Sequence, residues 1–471
     1  MTSHLLQQMR RLGRPGSFRA SGSAVLLACV GLAVTLAAVA SSAPAPAPSF
    51  AEPKEYATGP GPDALVSGDL NGDGKLDLVA ANSKAISVLL NRGDGTFQPR
   101  RDYRAGGIHV AIGDLNGDRR LDLATTSALL SGHVSVLLNR GDGSFRAKRD
   151  YRTGRGPKSL AIGDLNGDRN LDLATANMYQ PANSKAYTAS VLLNRDGGRF
   201  RAPRDYRTAD NPEAIAIGDV NGDGKLDLVT ANDGNSVSVL LNRGGGRFRA
   251  KRDYRTGPSP TDIAIGDLNA DGKPDLVTPN LNSIDTGPPR ISVLLNKGNG
   301  RFRARRDYDT GWIYSVEIGD LNSDRKPDLV VGSIAGFPSV LLNRGKGSFQ
   351  AMLEYWVQTK LKYNSAGGEW AAIGDFNGDG KVDLATSNSD DSTVSVLINT
   401  PGLCNVQEVR RMTLGAAART LGRVNCGVRE VGRDYSGAFK RGLVMRQKPA
   451  SGAVLPNAGK VDLVVSLGPK Q

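Results

Sequence analysis

Histidine is almost absent from this chain of 471 residues. The three present are His4, His109 and His133, and none stands in a nucleophile motif. Cysteine is as scarce: Cys29 lies in an N-terminal apolar run, and only Cys404 and Cys426 follow. Catalysis by an activated Ser or Cys beside a His base therefore has little to draw on. Aromatic residues make up 6% while glycine reaches 58 residues. That balance does not suit a helical enzyme; it suits many short strands joined by tight turns. Long hydrophobic runs are missing except for Ala24 to Ala40. Arg10, Arg11, Arg14 and Arg19 precede this run and Ala38-Val39-Ala40 closes it, the layout of an export signal over residues 1–40. The run is at the short limit for a bilayer span, so a membrane enters only if the segment is retained. Leu26-Leu27-Ala28-Cys29 superficially resembles a lipoprotein site, but its Cys sits inside the run instead of ending it. Residues 41–48 read as a Pro/Ala linker, extended and unstructured. In an exported protein the even pair Cys404 and Cys426 is expected to form a disulfide.

What the chain does have is repetition. The string Asp-x-Asn-x-Asp-x-x-x-Asp starts at Asp69, Asp114, Asp164, Asp219, Asp267, Asp320 and Asp375. A short strand such as Ser159 to Asp164 runs into each acidic loop, and a second such as Leu171 to Asn177 leaves it. A third reads like Val134 to Asn139. An Asn-Arg-Gly turn and a fourth strand such as Phe145 to Gly154 complete the unit. Four strands in roughly 50 residues predict a propeller blade. The seventh repeat stops at Asn399, after its third strand, and Phe50 to Gly59 supplies the missing fourth. The fold expected is an all-β seven-bladed β-propeller over residues 49–400, with a small α+β domain over 401–471. The Phe-to-Tyr spacing of the fourth strand is six residues in every copy, from Phe50/Tyr56 to Phe349/Tyr355.

Positions 1, 3, 5 and 9 of each loop carry oxygen-bearing side chains, and position 7 can offer its carbonyl. This is the oxygen-only, multi-carboxylate chemistry that calcium prefers. The ligand sets expected, for up to seven Ca2+, are these: Asp69, Asn71, Asp73, Lys75 and Asp77; Asp114, Asn116, Asp118, Arg120 and Asp122; Asp164, Asn166, Asp168, Asn170 and Asp172; Asp219, Asn221, Asp223, Lys225 and Asp227; Asp267, Asn269, Asp271, Lys273 and Asp275; Asp320, Asn322, Asp324, Lys326 and Asp328; Asp375, Asn377, Asp379, Lys381 and Asp383. Asx turns would favour the same residue types. However, three carboxylates held close together would repel one another without a cation.

These loops and blades resemble FG-GAP/VCBS repeat proteins, whose propeller also occurs in integrin α-chains; there the loop joins the first two strands of a blade and binds calcium. Two departures stand out. Position 6 is Gly74, Gly224, Gly272 and Gly380 in four copies but Arg119, Arg169 and Arg325 in the others, and position 4 is Ala270 and Ser323 in two. Non-Gly residues at position 6 need a less comfortable backbone, so weaker binding is expected in the three Arg copies.

Beyond Pro401, Thr413 reads as the N-cap of a helix from Leu414 to about Val424. The string Gly442-x-Val444-x-x-Gln447-x-Pro449-x-x-Gly452, with Gly459-x-Val461-x-Leu463-x-Val465-Ser466, resembles a PASTA domain. That family implies a βαβββ module associated with peptidoglycan recognition.

The net charge is +13, and +9 once the signal segment is set aside. Its most basic part, the fourth strands, reads either as a surface for anionic partners or as protection of an outer edge. The triplets Arg92-Gly93-Asp94 and Arg140-Gly141-Asp142 spell RGD, but the Asp varies among copies, as expected of a turn residue. All length variation falls on the loops opposite the acidic ones. Trp312, Tyr314, Trp356 and Trp370 gather there, in the connections entering blades six and seven, and form the candidate ligand face. The alternative is that the rings cap the core between blades. The function expected is a secreted, non-catalytic, calcium-binding propeller, extracellular or cell-wall associated. Its partner would be a cell-wall glycan or an extracellular protein or polysaccharide, and not nucleic acid. A calcium-dependent lectin, or a polysaccharide lyase or hydrolase, is the alternative.

Overall fold

The computed structural model describes residues 47–127, 131–180, 186–281, 289–333, 338–355, 370–455 and 459–470. The chain divides into Met1–Pro44, outside the described residues, and Ala45–Gln471. Among the described residues no helix is long and apolar enough to cross a membrane.

Alternating side chains give each inner strand two packing surfaces, so a four-stranded sheet is covered only when another packs on each side. Seven antiparallel four-stranded sheets solve this by forming a ring. Blade 1 is Ala64–Gly68, Asp77–Ala81, Ile86–Leu89 and Arg101–Tyr103. Blades 2 to 6 repeat that order. Blade 7 takes three strands from the C-terminal side, Ala371–Gly374, Asp383–Asn388 and Thr393–Leu397, and its fourth, Lys54–Ala57, from the N-terminal side. Lys54 pairs with Val396 and Ala57 with Thr393. The fourth strands are shorter than the sequence suggested. In blade 2 the strand is Arg149–Arg152, and Phe145 instead bridges back to Asn139 across the Asn-Arg-Gly turn.

The constant Phe-to-Tyr spacing has an inter-blade meaning that linear reading did not reveal. Each Tyr meets, edge to face, the Phe of the next blade: Tyr103 on Phe145 at 5.2 Å, Tyr151 on Phe200 at 5.1 Å, and so on. Tyr355 on Phe50 at 4.8 Å and Tyr56 on Phe97 at 5.3 Å carry the series across the chain ends. Such pairs add about 1 kcal/mol each beyond their buried area.

A second latch uses the Asn that opens every Asn-Arg-Gly turn. Asn242 is buried; its Nδ2 donates to Leu226 O in its own blade and to Leu165 O in the preceding one, both at 2.8 Å. Asn91 makes the same link from blade 1 to Phe376 O of blade 7, at 2.9 Å. The sequence showed this Asn in every copy, but its partner lies roughly 75–80 residues away in most blades. Asn242→Ala should leave two buried carbonyls without donors, a loss of about 3 kcal/mol in chemical denaturation. A loss below about 1 kcal/mol would show the latch to be incidental.

The C-terminal domain has strands Cys404–Asn405, Gly427–Asp434, Val444–Lys448, Val454–Leu455 and Lys460–Ser466 around the helix Leu414–Arg423. Thr413 Oγ1 caps that helix on Ala416 N, as expected, and a disulfide joins Cys404 to Cys426. The domain does not hang from a linker. Val406, Val409, Ala417 and Leu421 share one apolar core with Phe50, Leu342, Leu353 and Tyr355 of the ring. Asn405 accepts from Phe50 N at 2.9 Å and donates to Phe50 O at 2.8 Å. Gln407 does the same with the main chain of Glu354, at 3.1 and 2.7 Å. The end of the supposed linker is also part of the fold: Pro48 is buried, and its carbonyl accepts from Tyr355 Oη at 2.7 Å.

Candidate metal loops and ligand face

All seven acidic loops lie on one face of the ring, at the ends of the innermost strands. Their shape is set by position 1. Asp69 Oδ1 accepts from Gly72 N and Asp73 N, and Oδ2 from Gly74 N at 2.9 Å. The bond from position 6 to position 1 recurs where that residue is Arg, from Arg119, Arg169 and Arg325, at 2.7–2.8 Å. Those Arg residues hold φ of 66°, 72° and 63°, and Ala270 and Ser323 at position 4 hold 60° and 59°. The Gly copies occupy the same left-handed region, so the departures keep the loop and add roughly 1 kcal/mol of strain each.

Position 9 is not an open ligand at the rim. Asp77 is fully buried; its Oδ2 accepts from Leu70 N and its Oδ1 from Asn91 N, at 2.9 and 2.8 Å. The loop is thereby tied to the Asn latch. Burial pushes the Asp77 carboxyl up to about 6; the two N–H donors work against this, and the charges of Asp73 and Asp69 add to it. Asp122, Asp172, Asp227, Asp275 and Asp383 are likewise pushed up to about 6, and Asp328 to about 7. The repulsion expected of the loops is therefore present, but it is partly relieved from within. Backbone N–H groups solvate the carboxylates, and Lys at position 7 pairs with Asp at position 5, as in Lys225–Asp223 at 3.2 Å and Lys381–Asp379 at 2.8 Å.

The donors fit a hard cation in type. All the side-chain donors available are oxygens, although in two loops the position 3 amide now gives its Nδ2 to the position 9 carboxylate, Asn221 to Asp227 and Asn269 to Asp275, both at 3.1 Å, and would have to turn its Oδ1 inward to ligate. A carboxylate oxygen that accepts one N–H retains a lone pair. Among the described residues, however, no three His, Cys, Asp or Glu side chains are gathered as a ready-made metal cluster.

The model of the FG-GAP-like repeat matches residues 69–125, 114–175, 219–278 and 320–386, and the PASTA domain model matches 405–467. The chain is an FG-GAP-repeat propeller ending in a PASTA domain. No curated protein matches it in sequence. Among solved structures it resembles BBS1N in complex with ARL6DN at 11% identity and a TM-score of 0.50, over 75% of this chain and 97% of that one. A second crystal of that complex gives 10% identity and 0.51, over 75% and 98%. A lectin of Agrocybe aegerita that recognises non-reducing terminal N-acetylglucosamine gives 19% identity and 0.47, over 71% and 87%. At these identities the likeness is one of fold.

The other candidate residues of this FG-GAP propeller separate into exposed and packed. Trp312 is 42% exposed, whereas Tyr314 is half-buried in the innermost strand of blade 6. Trp370 is not an exposed platform. It is half-buried against the cores on both sides of blade 1 and lies edge-on to His109 at 5.1 Å. Trp356 lies outside the described residues. The RGD triplets are tied into their own turns: Asp94 accepts from Thr96 N at 2.9 Å and Asp142 from Ser144 N at 2.9 Å. Part of the fourth-strand charge is used locally, as in Lys148–Asp150 and Arg305–Asp307, both at 2.8 Å. The combination of an FG-GAP propeller with a PASTA domain suggests ligand binding outside the cell or at its wall.

Proposed function

We propose that this chain is a non-catalytic ligand-binding protein of the cell exterior. Its loops take up calcium and its PASTA domain seats it at the wall. The observation that carries the reading is the shared core of ring and PASTA domain, which makes a wall-type module and a repeat propeller one body. In each loop the cation would be held by the side chains of positions 1, 3, 5 and 9 and the carbonyl of position 7. It would neutralise the carboxylates and act on no substrate. The ligand face is the one opposite the loops, with the exposed Trp312 as its anchor, and the partner class is a wall glycan or an extracellular polysaccharide or protein.

The test is binding of the exported chain to purified wall and capsular fractions, compared with Trp312→Ala. Loss of an exposed aromatic anchor should weaken binding by about 2 kcal/mol, roughly thirtyfold, with an unchanged melting temperature. Equal binding by the variant would remove Trp312 from the site, and no binding by either protein would overturn the wall reading.

A further inference from the structure

A sevenfold repeat contains its own controls: where six blades agree and one does not, the odd residue answers to something other than the fold. Two rings of the innermost strands are informative. Two residues before the glycine that leads into each loop stand Val66, Ala111, Ala161, Ala216, Ala264, Glu317 and Ala372. Four residues before it stand Ala64, His109, Ser159, Ala214, Asp262, Ser315 and Trp370. The departures from small residues are Glu317, His109, Asp262 and Trp370. All four line one cavity of about 330 Å³ in the central channel, bounded by the inner strands of six blades.

The fold does not need their charges. Ser159 Oγ accepts from Ile215 N of the next blade at 3.3 Å, and Ser315 Oγ from Ala371 N at 3.2 Å. Asp262 Oδ2 accepts from Val316 N in the same way at 3.0 Å, and its Oδ1 from the adjacent Ile263 N at 2.8 Å; a serine would serve the inter-blade joint, so the charge is surplus to it. Glu317 is half-buried on the channel wall, and the influences on its carboxyl are burial and the charge of Asp262, with no hydrogen bond among them. His109 Nδ1 is buried without a partner among the described residues. No Lys or Arg lines the cavity; its other walls are aliphatic.

We propose that this cavity binds a small organic amine, its ammonium group between the carboxyl groups of Glu317 and Asp262 and its body against Trp370 and His109. An ammonium offers three donors and no acceptor, which matches two carboxyl groups. Trp370 adds an aromatic wall suited to a cation and its carbon frame. Among the described residues no three acidic, His or Cys side chains are gathered to hold a metal ion. The site is separate from the Trp312 surface, and its test does not depend on that reading.

Protonation supports the same match. Burial, then the charge of Asp262, pushes Glu317 up to about 8, and burial pushes His109 down to about 4. Burial likewise pushes Asp262 up to about 6, against the N–H groups of Val316 and Ile263. In the free protein at neutral pH Glu317 is therefore largely uncharged and His109 is a neutral acceptor. An arriving ammonium ionises Glu317 and releases its proton, so affinity should rise as the pH climbs from 6 to 8.

The experiment is calorimetric titration of the full exported chain at pH 7 with n-butylamine and with glucosamine, against n-butanol and glucose. At least one amine should bind, with its neutral counterpart at least about tenfold weaker. Which amine binds distinguishes an alkylamine source from an amino-sugar source. Glu317→Ala and Asp262→Ser install residues that other blades carry at those ring positions, so both should fold, and each should weaken amine binding at least about tenfold. Glu317→Ala should also abolish the proton release. If the wild type binds neither amine, or if both variants bind as the wild type does, the proposal is wrong.

Discussion

A chain lacking residues 49–59 should leave the column as aggregate instead of monomer. The deletion removes Lys54–Ala57 from blade 7 and bares the outer edge of Thr393–Leu397, a largely buried, Val-rich strand whose other neighbour, Asp383–Asn388, is fully buried. An unpaired edge of that kind recruits strands from other chains. The deletion also removes Phe50, which is 1% exposed, with its ring contact to Tyr355 and both main-chain bonds to Asn405. Losing a buried Phe alone is worth about 3–5 kcal/mol. With the strand and the PASTA contacts added, the sum approaches the whole stability of an ordinary domain. Light scattering on the deletion, with and without a synthetic 47–59 peptide, decides the point. Rescue to a monomer by the peptide is expected. A monomeric deletion with an unchanged melting temperature would contradict the closure.

Calcium should matter almost as much. Loops of this kind outside the cell bind at about 0.1–1 mM. At ten times the dissociation constant each occupied loop gains about 1.4 kcal/mol, on the order of 10 kcal/mol for seven loops. For a ring of this size that is a rise of roughly 10 °C in melting temperature over the chelated protein. Asp223→Ala and Asp227→Ala separate the cation from the scaffold. Asp223 is exposed, so its loss should leave the chelated protein almost unchanged and reduce only the calcium response. Asp227 is buried and accepts from Val220 N and Asn242 N, so its loss should cost about 2–4 kcal/mol even in chelator. Melting curves that do not move between excess calcium and excess chelator would sink the calcium reading.

The ring and its closure were legible because repetition writes the same short-range pattern seven times. The loop positions, the blade count, the swapped fourth strand, the helix cap and the disulfide all follow from residues close in sequence or repeated in register. What escaped was inter-blade. The Tyr of a fourth strand and the Phe of the turn before it are partners of different neighbours, and the Asn of the turn reaches the preceding blade. The burial of Asp77 and its kin could not be read from a motif that marks them only as acidic. The union of PASTA domain and ring depends on Asn405 and Gln407, which no periodicity distinguishes. Glu317, Asp262 and His109 were visible as departures from the repeat, but only the channel brings them together.

The swapped strand also sets a timetable. Ser49 and Thr400 exchange hydrogen bonds across 351 residues of sequence. Contacts so distant are late and slow to form, because the intervening chain must first be ordered. During synthesis or translocation the first strand to emerge has no partner until almost the last blade has followed it. The ring can therefore close only once nearly the whole chain has emerged. A chain that must cross a membrane unfolded gains from that delay, while one that stalls midway presents an open blade to its neighbours.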